Sequence, residues 1–387
     1  MKPLLKRIFT ALKKDIVLTA ALTCGIVSCF FCRPTAKDII SAIDFRVLSL
    51  LFCLMTVIAA FKSINVLDSL SQYLLRKCKT VRSVYFILCT LVFFCAAIVT
   101  NDVALLTFVP ITLIVCSHAG IKPLKLIVFE TLAANLGSCI MPMGNPQNLF
   151  IYSFYKMTNT DFFLTTLKIG IPSFFLLFAF LMAATKDVKT AKINIVSTLG
   201  PAGVEKGISV YVYLILLIIN LLSVFHVINS VISFAITLVT ILLFNRRLLM
   251  KVDYTLLLTF TGFFVFTSNV SSIEAVQQFF KSILNTETGT FFAGLSLSQI
   301  ISNVPAALLL SSFTENAKAL LAGVNIGGLG TIIASLASVI SYKLYQNSNI
   351  PQEEKDPFLP TFSFYNVIFL LILVPLYLGF GVLERML

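Results

Sequence analysis

The sequence predicts an all-α polytopic membrane protein built from two inverted repeats, each with a re-entrant hairpin and a broken transmembrane helix. Three observations predict this fold. The 387 residues are 58% hydrophobic and only 12% charged, and several apolar runs are long enough to cross a bilayer. Glycine, proline and amide residues interrupt two of these runs. The two interrupted stretches are also copies of each other. The composition excludes a soluble protein.

The first interrupted stretch covers residues 134–150 and the second covers residues 324–340. Irregular backbone at membrane depth is tolerated only against protein or a water-filled cavity, and in transporters such breaks mark the binding site. Subtracting 190 aligns the second stretch with the first without a gap. The aligned pairs are Asn135 and Asn325, Gly137 and Gly327, Ser138 and Gly328, Asn145 and Ser335, Asn148 and Ser338, Tyr152 and Tyr342, and Tyr155 and Tyr345.

The first repeat is predicted to occupy residues 1–185. Its first apolar run lacks a small-residue cleavage site and opens a long series of spans, so we predict a retained helix rather than a signal peptide. The predicted elements are spans at 16–32 and 45–61, a hairpin near 83–117 with Asn101 and Asp102 at its tip, a broken helix near 123–155, and a span at 164–185. The second arm of the hairpin, residues 103–116, is too short to span the membrane comfortably.

Residues 186–225 are predicted to hold a cytoplasmic linker and one unpaired span at 208–225, and the second repeat fills 226–387. Its predicted elements are spans at 231–244 and 254–270, a hairpin near 288–313 with Ser302 and Asn303 at its tip, a broken helix near 319–345, and a span at 364–383. An offset of 209 places Asp253 on Asp44. Because the unpaired span adds one crossing, the two repeats enter the membrane from opposite sides.

The charge pattern predicts a cytoplasmic N-terminus. On this topology 21 of the 29 basic residues lie on the cytoplasmic side, as the positive-inside rule requires, although Arg33, Lys37 and Arg46 oppose it locally. The net charge of +12 therefore indicates topology rather than nucleic-acid binding. Asn101 should be reached from the cytoplasm and Asn303 from outside.

The paired breaks and the two hairpin tips resemble the ion transporter superfamily, which includes arsenite permeases and citrate and dicarboxylate transporters. The resemblance is closest to its bacterial anion permeases and covers nearly the full chain. It implies that both tips and both breaks line the substrate and ion sites. Two departures are visible: dicarboxylate carriers typically have Ser-Asn-Thr at both tips, where this chain has residues 100–102 and 302–304, and some relatives have an acidic residue at the position of Asn145.

Two sets of candidate site residues follow. The predicted substrate-binding residues are Asn101, Asn145, Asn148, Ser302, Asn303, Asn325 and Thr331. The predicted coupling-ion residues are Asp102, Asn135, Gly137, Ser138, Gly144, Gly327 and Gly328. Asp102 is either a coupling-ion ligand or a helix cap, and Glu130 lies either near the cavity or near the membrane interface.

The predicted function is ion-coupled secondary transport of a small anion, a carboxylate or an oxyanion, by alternating access in the cell membrane. The alternatives are an arsenite or antimonite efflux permease and a sodium/proton antiporter. A channel would require a continuous polar pore, and an enzyme would require a nucleophile or metal motif, such as HExxH or GxSxG, which the sequence lacks. No GxxxxGK[ST] loop occurs, so energy is expected from a Na+ or H+ gradient or from another subunit, with no cofactor. The expected partners are the anion and membrane lipid, with no nucleic acid, and the resemblance implies a homodimer.

Overall fold

The computed structural model describes residues 16–186 and 207–386, which fold into helices and short 3-10 turns with no strand in these ranges. The predicted N-terminal basic segment and most of the predicted linker lie outside the described residues. In the first repeat the helices are α1 Ile16–Cys32, α2 Ala36–Ala42, α3 Phe45–Ser63, α4 Val66–Leu75, α5 Val81–Val99, α6 Asn101–Ala119, α7 Leu124–Ser138, α8 Pro146–Phe154 and α9 Asn159–Ala184.

The remaining helices belong to the unpaired span and the second repeat. They are α10 Ile208–Val224, α11 Ser230–Asn245, α12 Tyr254–Ser271, α13 Glu274–Leu284, α14 Glu287–Ile301, α15 Asn303–Ser311, α16 Ala317–Ile326, α17 Leu336–Gln346 and α18 Phe358–Met386. Within the described ranges, six helices are long and apolar enough to cross a membrane, or seven if the bent pair α12 and α13 is one span.

The two repeats correspond helix by helix. Helices α3 and α12 both begin after an aspartate that caps the first turn, Asp44 with ψ 88° and Asp253 with ψ 84°. Hairpin α5–α6 corresponds to hairpin α14–α15, and broken helix α7–α8 corresponds to α16–α17. The all-α fold with two inverted repeats, each with a hairpin and a broken helix, is thereby confirmed.

Close backbone packing joins each hairpin to its own broken helix. Gly137 of α7 lies so near α5 that an added Cβ would be 2.0 Å from the carbonyl oxygen of Phe93. In the second repeat a Cβ on Gly327 would be 2.9 Å from the Cα of Leu295. The second arm of each hairpin packs both on its own broken helix and on the second half of the other repeat's broken helix, α6 on α17 and α15 on α8. The repeats therefore interlock at their centre.

Two ion pairs also join one repeat to the other. The Nζ of Lys122, just before α7, lies 2.8 Å from Asp356, just before α18. Lys318 in the first turn of α16 lies 2.6 Å from Asp161 in the first turn of α9. Each pair thus joins the start of one repeat's broken helix to the start of the other repeat's last helix.

Three details differ from the sequence-based prediction. The second arm of the first hairpin was expected to be too short to span comfortably, but α6 has 19 residues, because the helix includes polar residues at both of its ends. Three short helices, α2, α4 and α13, were not predicted; α13 is amphipathic, and its axis meets that of α12 at 98°. Helix α18 begins six residues before the predicted span, at Phe358.

Candidate functional site

The two hairpin tips share one unusual backbone conformation. Thr100 has φ 77° and ψ 151°, and Ser302 has φ 77° and ψ 154°. Residues other than glycine adopt this region only where the surroundings enforce it, at a cost of about 1–3 kcal/mol. At the first tip the surroundings include the first break, because the backbone N–H of Asn101 donates to the carbonyl of Gly144 at 3.1 Å. Strain held at equivalent positions marks both tips as functional candidates.

The first break is stabilised by its own amides. Asn145 caps α8, accepting from the backbone N–H of Asn148 at 2.9 Å, and Pro146 follows at the first helical position, where a missing N–H costs nothing. The Asn148 amide donates to the carbonyl oxygens of Cys139 at 3.0 Å and Met141 at 3.2 Å. These bonds satisfy backbone acceptors that the broken helix leaves free.

Asn325 of the second repeat bonds the first break. Its amide donates to Asn148 Oδ1 at 2.7 Å, and its Oδ1 accepts from the Asn145 amide at 3.2 Å. All three side chains are buried. Asn325, which was predicted to bind substrate, therefore holds the break of the other repeat.

Asn135 of the first repeat bonds the second break in the equivalent way. Its Oδ1 accepts from Ser335 Oγ at 2.9 Å, and its amide donates to Ser338 Oγ at 3.2 Å. These serines are the counterparts of the two asparagines that bind Asn325. Asn135 Oδ1 also accepts from the amide of Asn101 at the first tip, at 3.3 Å. We call this set of bonds the crossed amide network; its members are Asn101, Asn135, Asn145, Asn148, Asn325, Ser335 and Ser338.

A cavity of about 670 Å³ reaches the first tip and the first break. Its inner end is formed by Thr100, Asp102 and Asn145, and its outer rim by the exposed Lys62 and Lys251. The other lining residues are Leu51, Leu54, Met55, Ile58, Ala59, Ser63, Asn65, Val103, Leu106, Met143, Pro146, Leu149, Asp253, Leu256 and Ile340. A volume of this size suits a small-molecule ligand, for which pockets run from about 300 to 1,000 Å³.

Asp102 has the most unusual environment in this cavity. Its Oδ1 is shielded from solvent without a hydrogen-bond partner, and neither oxygen accepts from any described residue. No lysine, arginine or histidine of the described chain forms an ion pair with it. A helix cap would accept a backbone N–H, so the observed geometry gives the capping interpretation no support.

The second tip lies outside this cavity and is closed. Ser302 and Asn303 are 1% and 4% exposed, and a Cβ on Gly328 would be 2.9 Å from the amide nitrogen of Asn303. Thr331 also lies apart from the cavity. Its side chain is exposed. The backbone N–H of Thr331 donates to Gln299 Oε1 at 2.9 Å, and its hydroxyl group donates to the backbone carbonyl of Gln299 at 3.0 Å.

The remaining candidates lie in the packing around the first break. Ser138 donates to the carbonyl of Asn135 at 3.0 Å and accepts from the Asn145 amide. Gly144 permits a close turn, because a Cβ there would be 2.1 Å from the carbonyl oxygen of Ser138. Gly137 and Gly327 serve the hairpin packing described above. The structure therefore brings Asp102 and Asn145 to one cavity and places most other candidates around it.

Several relevant residues were missing from the sequence-based candidates. Lys62 and Lys251 were interpreted only as topology signals, and Gln299 was not considered. The position of the two lysines between apolar segments indicated topology and gave no separate signal of a cavity rim.

Comparison with known proteins adds an independent line of evidence. A family model described as "Citrate transporter" matches residues 7–340. The chain belongs to the citrate transporter family. It is 34% identical over 316 residues to "Uncharacterized transporter MJ0456" of Methanocaldococcus jannaschii, covering 81% of this chain and 84% of that protein. It is 26% identical over 342 residues to "Inner membrane protein YbiR" of Escherichia coli, covering 88% and 90%.

Among solved structures, the chain is similar to a crystal structure of the Alcanivorax borkumensis YdaH transporter, with 14% identity, a TM-score of 0.49, and coverage of 87% of this chain and 86% of that one. Family membership and the apolar helices together make this citrate transporter family member a multi-span membrane transporter. The family and the names of its relatives indicate transport rather than enzymatic catalysis.

Proposed function

We propose that the protein is an ion-coupled secondary active transporter that carries a small anion, a carboxylate such as citrate or a dicarboxylate, or an oxyanion, across the cytoplasmic membrane. The observation that carries this proposal is the one-sided cavity. Its lining contains the first tip and the first break but no residue of the buried second tip. A central site that opens toward one side is what one state of an alternating-access cycle requires.

The charges along the cavity explain how anion binding depends on a cation. Lys62 and Lys251 line the rim, and Asp253 lies beside them while its carboxylate caps α12. When Asp102 at the inner end is ionised, the charges of the two lysines and the two aspartates sum to zero. A proton or sodium ion at Asp102 leaves the cavity with net positive charge, so an anion is bound only after the cation.

The orientation follows from the basic residues. Lys62 and Lys251 belong to the cytoplasmic set under the positive-inside rule, so the cavity opens to the cytoplasm and the N-terminus is cytoplasmic. Neither ammonium group has an ion-pair partner within the described chain, which leaves both available to an entering anion.

Uptake into proteoliposomes tests the proposal. The purified protein is given citrate, dicarboxylates, sulfate or arsenite, with sodium and pH gradients imposed separately. We expect one of the anions to accumulate above its external concentration under one of the gradients. Equilibration without accumulation would indicate a channel, and sodium/proton exchange with no anion movement would indicate an antiporter; either result contradicts the proposal.

A further inference from the structure

Glu130 is a buried acid that the cavity does not use. It lies in the middle of α7 with 0% of its surface exposed. Thr112 of α6 donates to its Oε1 at 2.5 Å, whereas Oε2 is buried with no hydrogen-bond partner. A native structure rarely leaves a buried polar atom unpaired, so an atom of this kind requires a specific explanation.

No lysine, arginine or histidine of the described residues pairs with Glu130. The titratable groups that face it are Cys89 of α5 and Cys116 of α6, with Tyr85 of α5 beside them. Among the described residues it forms no ion pair. One hydroxyl group beside a single carboxylate is also too few oxygen ligands for Ca2+ or Mg2+, which take about six or more, and no group of three or more metal-ligating His, Cys, Asp or Glu side chains occurs among the described residues. The ligand that this environment can accept is a proton.

The second repeat shows that the fold does not require an acid here. The offset of 190 places Leu320 at the position of Glu130, and Leu320 is likewise fully buried. Asp102 is also replaced by an apolar residue in the second repeat. When the two hairpin tips are aligned, the buried Val304 occupies the position of Asp102. Both acids thus occur where the repeat accepts an aliphatic side chain, and each has an oxygen without a partner. Ionisable residues at membrane depth are functional by default.

We propose that Glu130 is a second cation site of the transporter, one that binds and releases a proton during each transport cycle. The carboxylate takes up one proton on one side of the membrane and returns it on the other, with no electron transfer. Helix α6 joins this site to the cavity, because it begins at the first tip beside Asp102 and carries Thr112 to Glu130. This inference rests on the proposed anion transport.

The experiment counts protons thermodynamically. In proteoliposomes clamped at zero membrane potential, the logarithm of the steady-state anion accumulation ratio is plotted against the imposed pH difference. Each coupled proton contributes about tenfold accumulation per pH unit, because one pH unit corresponds to 1.36 kcal/mol. We expect the slope for Glu130→Gln to be lower than the wild-type slope by one. Glu130→Asp, which keeps a carboxyl group, should retain the wild-type slope.

An unchanged slope in Glu130→Gln would overturn the proposal, because glutamine then replaces a permanently neutral structural acid. A wild-type slope of zero with sodium-driven accumulation would overturn it too, while leaving the proposed anion transport intact. Absence of anion accumulation under every gradient would instead contradict the proposed function itself. If Glu130→Gln does not insert into the membrane, infrared spectra of Asp102→Asn test the proposal, because this variant removes the other acid that has an unpaired oxygen. A buried carboxyl band whose intensity changes at pH values above those at which exposed carboxyl groups titrate supports proton exchange. A band that stays constant with pH refutes it.

Discussion

The crossed amide network makes a quantitative prediction about Asn325. Replacing it by alanine removes its bonds to Asn145 and Asn148 and leaves Asn148 Oδ1 buried without a partner. An unpaired buried polar group costs about 1–3 kcal/mol, and each lost hydrogen bond about 0.5–1.5 kcal/mol. We therefore expect Asn325→Ala to lower the free energy of unfolding by about 2–4 kcal/mol.

A double-mutant cycle isolates the bond between the repeats. Asn325→Ala, Asn148→Ala and the double variant are unfolded in mixed micelles, with labelling of the free, buried Cys53, Cys89 and Cys139 as the signal. Contacting residues show coupling energies of about 0.5–3 kcal/mol, whereas independent sites are additive within about 0.3–0.5 kcal/mol. We expect coupling of at least about 1 kcal/mol.

The matched control is Asn366→Ala. Asn366 is also fully buried, but its amide donates to the carbonyl of Phe362 within α18, outside the network. Combined with Asn148→Ala it should be additive. Additivity for Asn325 and Asn148 as well would show that the bond between them contributes nothing and would refute our explanation of how the repeats are held together.

Three further predictions concern packing, the rim and the tips. Gly137→Ala should destabilise the protein by about 1–3 kcal/mol, because its Cβ must displace the backbone at Phe93. Thermal unfolding in detergent measures this loss, and Gly379→Ala is the control, since an added Cβ there meets nothing within 4 Å. Lys62→Gln combined with Lys251→Gln should raise the KM for the anion several-fold with little change in kcat. Lys343→Gln, which changes an exposed lysine that does not line the cavity, should leave KM unchanged. Equal KM values in all variants would contradict a role at the rim. In a cysteine-free background, Asp102→Cys should react with a membrane-impermeant thiol reagent from the cytoplasmic side and Asn303→Cys from the outside in the opposite state; labelling of both from one side in every state would refute the inverted arrangement.

The sequence predicted the breaks and tips well because their causes are local. Clustered proline, glycine and asparagine residues interrupt a helix, so Asn145, Pro146 and the tip residues marked the irregular backbone correctly. Single prolines such as Pro110 and Pro172 lie inside helices instead. Helices α2, α4 and α13 were not predicted because they have only 7, 10 and 11 residues, too few to resemble a span. Local signals therefore revealed the centre of the fold better than its connections.

Partnerships across the repeats could not be predicted from the sequence. The offset of 190 identified Asn135 and Asn325 as counterparts, but it did not indicate that each bonds the other repeat's break, because the position of the pseudo-symmetry axis is not encoded in spacing. For the same reason Thr331 was grouped with the cavity, although its bonds to Gln299 hold it elsewhere. Lys62 and Lys251 showed a second limit, since one residue can serve both topology and ligand entry.

The central claim is that a cation at Asp102 permits anion binding, and Asp102→Asn tests it most directly. Asparagine keeps the size of the side chain and removes its charge, and it caps helices about as well as aspartate. In proteoliposomes loaded with the transported anion, we expect the accumulation driven by the cation at Asp102 to be lost, which leaves only the share driven by a proton at Glu130. Exchange of labelled for unlabelled anion should persist. Normal accumulation in Asp102→Asn would contradict the account, because the coupling cation would then bind elsewhere.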